Sequence, residues 1–225
     1  MNVRYKWYKV KIPKGIEFLQ NGICSTPFSD SSNEGFLELG SGLDQEKYRF
    51  LWRTKVPFFK LDELGNPSSD EIESINSVDF SFISVSSHHY LRIKNPGRSL
   101  RTIMNSFESI AGIGFSVKPV YFKDFKKHNW ATQEDIVTLR GVKLSGVVLE
   151  EGVVAKLEIN SNTDLSLDKL KCINHSNYKI DSAAYDIVHQ GIKGKLTIMS
   201  NGTVKINGQL KPRILELLEK TILTE

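Results

Sequence analysis

The chain of 225 residues has only two cysteines, Cys24 and Cys172. They stand far apart, neither has a CxxC partner, and a chain of this length needs no covalent staple, so both read as free thiols. Long hydrophobic runs are also missing: none approaches the roughly 20 apolar residues that cross a bilayer. The N-terminal stretch MNVRYKWYKVKIPKG alternates charged and apolar residues and lacks the apolar core of a signal peptide. A cytoplasmic protein is the expectation. The glycine patterns that cradle phosphates, GxGxxG and GxxxxGK followed by Ser or Thr, do not occur. Gly112-Ile113-Gly114 follows a helical pattern, whereas a phosphate loop precedes one.

Metal ligands are sparse. Of the five histidines, only His88 and His89 are close, and neighbours on a strand point to opposite faces. Cys172 and His175 are three apart, but no second pair accompanies them to complete a zinc set. No metal and no cofactor is expected.

What is present is an ordinary globular composition, 40% hydrophobic and 25% charged. The clearest local pattern runs from His88 to Phe122. Tyr90, Arg92 and Lys94 alternate with Leu91 and Ile93, the period of a half-buried strand. Leu100, Ile103, Met104, Phe107, Ile110 and Ala111 then fall on one face of a helix, with Ser99 placed to cap it and Gly112 to stop it. A second alternating run, from Phe115, completes a strand–helix–strand (βαβ) unit near residues 88–122.

Elsewhere strands dominate. Residues 3–12 alternate, with Val3, Tyr5 and Trp7 on one side and Arg4, Lys6 and Tyr8 on the other. The basic side reads as a solvated face or a guarded sheet edge. The Gly/Ser/Asn-rich passage from Asn21 to Gly42 reads as a surface loop with a short strand at 36–39. Residues 47–57 and 78–86 read as strands, and the polar stretch 61–77 between them as a solvated loop. From Asp135 two strand-like runs flank Glu150-Glu151-Gly152, and 165–170 suggests a short helix. Strands follow at 182–188 and 195–206, the latter folded at Ser200-Asn201-Gly202. A helix closes the chain from near Pro212. The expected fold class is α+β with largely antiparallel sheets in two subdomains, 1–128 and 129–225, ending in a hairpin and a helix. In architecture this resembles ferredoxin-like and TATA-binding-like folds, a likeness that implies no function.

The charge is uneven. Residues 90–128 carry eight Lys/Arg against two Asp/Glu, while the rest of the chain holds 22 against 24. Arg98 and Arg101 flank the start of the predicted helix, where backbone N–H groups also favour anions. Arg92 and Lys94 lie on the strand before it. Lys123, Lys126 and Lys127 follow, with Trp130 offering a stacking face. Basic groups interleaved with aromatics are what single-strand binding uses. These residues lead to the expectation of a non-catalytic nucleic-acid-binding protein (DNA or RNA), one component of a larger complex, gripping phosphate backbone through residues 90–130. One alternative is an adaptor subunit whose patch meets an acidic protein surface. Another is a metal-independent ribonuclease using His88 or His89 as its base, with Asp79 the carboxylate in reach.

Overall fold

A computed structural model describes residues 2–40, 46–61, 63–85, 87–122, 132, 134–167 and 178–222. In chain order the elements are β1 (Val3–Lys11), α1 (Ile16–Cys24), β2 (Glu34–Glu38), β3 (Tyr48–Leu61), β4 (Pro67–Val85), β5 (His88–Lys94), α2 (Arg101–Ala111), β6 (Ser116–Pro119), β7 (Asp135–Glu150), β8 (Val153–Asn160), β9 (Lys179–His189), β10 (Ile192–Met199), β11 (Thr203–Gly208) and α3 (Lys211–Ile222). The protein is α+β, mostly antiparallel strand with three short helices. Two units can be distinguished, one from residues 2–9, 83–95 and 118–222, the other from 10–82 and 96–117. The expected boundary between 128 and 129 lies outside the described residues, as do 168–170 of the short helix expected at 165–170.

In the first unit the strands lie in the order β5-β1-β11-β10-β9-β7-β8, with β6 also pairing β1. Strand β1 is therefore interior, and its basic side chains guard no edge. The Asn-Gly turn works as its sequence suggests: Ile198 faces Val204 and Leu196 faces Ile206 across the β10–β11 hairpin. One face of this sheet is apolar. Val3, Tyr5, Trp7, Val142, Leu144, Tyr185, Ile187, Leu196, Ile198, Val204 and Ile206 are buried there with Leu210, just before α3, and Ile214, Leu215 and Leu218 of α3. The helix lies close because Gly194 carries no side chain; a Cβ there would sit 3.0 Å from Leu210 and 3.1 Å from Ile214.

Two polar clusters fasten α3. Glu219 accepts hydrogen bonds from Trp7 Nε1 at 3.0 Å and from an Arg92 guanidinium nitrogen at 2.7 Å. The Arg92 guanidinium also sits 5.8 Å from the centre of the Tyr5 ring. At the other end of the helix, Asp135 accepts from the Thr132 hydroxyl at 2.6 Å and amide at 3.0 Å. Its carboxylate lies 3.9 Å from Arg213 and 2.9 Å from His189 Nδ1. The His189 contact is one of proximity, since its geometry falls short of a hydrogen bond. Burial pushes the Asp135 carboxyl up, but the Thr132 hydroxyl and amide, Arg213 and His189 outweigh it and hold the pKa below the usual range.

The second unit pairs β2, β3 and β4 and packs α1 and α2 around an aromatic core. Phe107 of α2 has ring centres of Phe36, Phe80, Phe82 and Phe115 within 6.2 Å. The expected amphipathic pattern of α2 holds: Ile103, Phe107 and Ala111 are buried. The expected cap at Ser99 is corrected: the N-cap is Leu100, with no side-chain cap bond. Ser99 Oγ accepts the Arg101 N–H at 3.3 Å from one residue further out, while Gly112 ends the helix at φ 84°. Two further readings are corrected. The Gly/Ser/Asn-rich passage overlaps α1, whose Leu19 and Ile23 are buried. The polar stretch 67–77 is strand, paired residue by residue with β3 from Leu61↔Pro67 to Leu51↔Ser77.

Candidate nucleic-acid interface

Strand alternation fixes what the other face of the first unit's sheet carries. On β1, between buried Val3, Tyr5 and Trp7, it sends Arg4 and Lys6 outward. On β10 the outward positions are Lys193, Lys195 and Thr197, and on β11 they are Thr203, Lys205 and Asn207. Pairing sets Arg4 opposite Lys205, Lys6 opposite Thr203, Lys205 opposite Thr197, and Lys195 opposite both Asn207 and Asp186. Among the described residues, the five cations Arg4, Lys6, Lys193, Lys195 and Lys205 form no ion pair. Arg140 is neutralised by Asp186 at 2.9 Å, and Lys143 by Glu158 at 2.8 Å.

At one end this face dips into a groove of about 400 Å³, lined by Thr138, Arg140, Asp186, Lys193, Lys195 and Asn207 among others. Towards the other end lie two tyrosines. Lys6 sits 5.7 Å from the centre of the Tyr8 ring. Burial raises the pKa of the Tyr8 phenol, and nearby Tyr121 raises it further. Tyr121 itself, between Val120 and Phe122 packed on the core, is 58% exposed.

The residues expected from sequence separate. Arg92 and Lys94 belong to the first unit, Arg98 and Arg101 to the second. Arg92 is held by Glu219 with 13% of its side chain exposed, and Lys94 is half-buried. Arg98 and Arg101 are exposed and, among the described residues, without an ion pair. Lys123, Lys126, Lys127 and Trp130 lie outside the described residues, as do His128, Cys172 and His175. His88 is exposed, and His89 Nδ1 lies 2.9 Å from the Ser84 hydroxyl. Asp79 receives a bidentate pair of hydrogen bonds from Arg49, at 2.6 and 3.1 Å. Local charge does not single out Lys193, Lys195 and Lys205, because they lie in a segment of zero net charge. Their signal was the alternation of Lys with apolar residues in KGKLTI and TVKING.

Fold and face together define an α+β protein whose first unit carries strands covered by a helix on one side and basic on the other. No protein-family model matches the chain, and no curated protein matches it. Among the described residues, no helix is long and apolar enough to cross a membrane.

Proposed function

We propose that this protein binds nucleic-acid backbone without catalysing a reaction, as one component of a larger cytoplasmic complex. The observation that supports this reading most is the set of five cations on one sheet face that, among the described residues, have no carboxylate partner. Unpaired Lys and Arg brought together by strand pairing are a phosphate-binding arrangement, because each exchanges condensed counterions for a fixed positive charge. Arg98 and Arg101 supply a second basic site at the start of α2. Arg92 serves the fold instead, through Glu219.

Fluorescence anisotropy with labelled single- and double-stranded DNA and RNA, at several salt concentrations, tests the reading. If all five cations meet phosphates of a single strand, log Kobs against log salt has a slope of about −3.5. The Lys195→Glu/Lys205→Glu variant flattens that slope by about 1.4 and weakens binding at least tenfold. Arg98→Glu/Arg101→Glu reports whether the second unit adds to the grip. Absence of binding to all four polymers at low salt removes the reading.

One observation favours the adaptor alternative. Beyond Trp52, the last residue of β3 paired with β2, the β3–β4 ribbon exposes Val56, Phe59, Leu61, Ile72 and Ile75, with Phe59 79% exposed. Strand pairing puts Phe59, Leu61 and Ile75 on one face of the ribbon and Val56 and Ile72 on the other, and exposed apolar side chains grouped in this way mark protein contacts. That reading takes precedence if no nucleic acid binds.

A further inference from the structure

The backbone-binding reading leaves open which form of nucleic acid the face takes; resting on that reading, we infer that its ligand is an extended single strand. The strand would run diagonally from Tyr8 and Tyr121 to the groove between Arg140 and Lys195, its bases stacking at the tyrosine end. The cations are not scattered over the sheet but follow a line. From Tyr8 the outward positions descend β1 through Lys6 to Arg4, step across to Lys205, and step again to Lys195 and Lys193 on β10. Thr203, Thr197 and Asn207 beside this line are neutral, and the acidic Asp186 at its far end is paired with Arg140. Eight residues along the strands and two strands across amount to roughly 28 Å at ordinary sheet spacings. That length suits on the order of four or five nucleotides of an extended strand.

Two features set a single strand apart from a duplex. Tyr121 is exposed beside Tyr8, and aromatic rings of this kind stack on base faces, which a duplex keeps hidden. The groove at the opposite end, about 400 Å³, combines two unpaired ammonium groups, Lys193 and Lys195, with the Asp186 carboxylate, the Thr138 hydroxyl and the Asn207 amide. A phosphate fits the first pair, and the Thr138 hydroxyl, which can donate and accept, fits the edge of an unpaired base. Among the described residues, no helix stands out from this face to enter a duplex groove, and α3 packs on the opposite side. A duplex would meet these lysines only along its outer phosphates.

The test uses the full chain and fluorescein-labelled 12-mers of mixed sequence, as single-stranded RNA, single-stranded DNA and the corresponding duplexes. The single strands are expected to bind at least tenfold more tightly than the duplexes. Tyr121→Ala is expected to lower single-strand affinity at least fivefold without changing the salt slope, and Tyr121→Phe, which keeps the ring, to restore it. Circular dichroism establishes that each variant is folded. Duplexes that bind as tightly as single strands, or a folded Tyr121→Ala protein with unchanged affinity, would overturn the inference while leaving backbone binding intact. Failure of every polymer to bind would instead remove the underlying reading.

Discussion

Replacing Glu219 by Gln separates the structural role of Arg92 from a binding role. Glu219 Oε1 receives the Trp7 indole N–H at 3.0 Å and the Arg92 guanidinium at 2.7 Å, with 18% of the Glu219 and 13% of the Arg92 side chain exposed. Glutamine keeps an acceptor for the indole but leaves Arg92 as a mostly buried cation facing a neutral amide. A hydrogen bond to a charged group contributes about 1.5–3 kcal/mol, and exposure this low screens it only in part. A loss of about 2 kcal/mol is therefore expected, a fall in Tm of roughly 4–8 °C for a protein of this size. Glu219→Ala also abandons the indole, at about 1 kcal/mol more. In a double-mutant cycle with Arg92→Met, the combined variant should be more stable than the sum of the single losses predicts, by about 1–2 kcal/mol. Urea and thermal unfolding followed by circular dichroism give these numbers. A Glu219→Gln protein melting within 1 °C of wild type, or strictly additive mutations, would refute the reasoning and return Arg92 to the list of available phosphate ligands. The binding counterpart is that folded Arg92→Met keeps its oligonucleotide affinity within about twofold, while Lys195→Glu/Lys205→Glu does not.

Acid should loosen the Asp135 end of α3. Because the folded-state pKa lies below the usual aspartate value of 3.8, the Asp135 contribution is complete above that pH and fades as pH falls towards the folded pKa. Asp135→Asn should cost about 1–3 kcal/mol near neutrality and flatten the acid limb of a stability–pH curve; an unchanged acid limb would remove Asp135 as its source. Gly22 of α1 faces Ile110 of α2 so closely that a Cβ would lie 2.2 Å from the Ile110 methyl. Gly22→Val should therefore destabilise by about 1–3 kcal/mol through overpacking, and a Tm equal to wild type would contradict that packing. Lys205→Glu places opposite charges across β11 and β1 where Arg4 now faces Lys205. It should raise stability by about 0.2–1 kcal/mol while weakening oligonucleotide binding, and a loss of both would show that Lys205 supports the fold.

Elements held by their own periodicity were legible in the sequence; those held by partners were not. The helix α2 announces itself through Ile103, Phe107 and Ala111, and the β10–β11 hairpin through Asn201-Gly202. The first eleven residues of β4 show no strand period, because both faces of the ribbon are wet. Their order comes from β3, through Lys55–Glu71 at 3.2 Å, Lys60–Asp70 at 2.7 Å and the Arg53–Glu73 pair. The helix α1 has only nine residues, no side-chain N-cap, and a polar passage after it. Local charge counting meets the same limit. It credits Arg92 to a basic patch, although its counter-charge lies 127 residues away on α3.

The converse holds for the sheet face. Residues 129–225 carry 12 basic and 12 acidic side chains, so their sum says nothing, and only strand pairing reveals which described charges meet and which do not. Glu216 and Glu219 ride on α3, where Lys220 and Arg92 meet them, and Glu158 on β8 is met by Lys143. Lys193, Lys195 and Lys205 are left on the outward side of β10 and β11 with Arg4 and Lys6 beside them. Like charges directly opposite one another on neighbouring strands are unfavourable, and solvation alone is served as well by mixed charges. Arg4 facing Lys205 is thus a local cost that no contact on the described face offsets. A polyanion laid along the same line would offset it, turning repulsion between neighbouring cations into attraction for each successive phosphate.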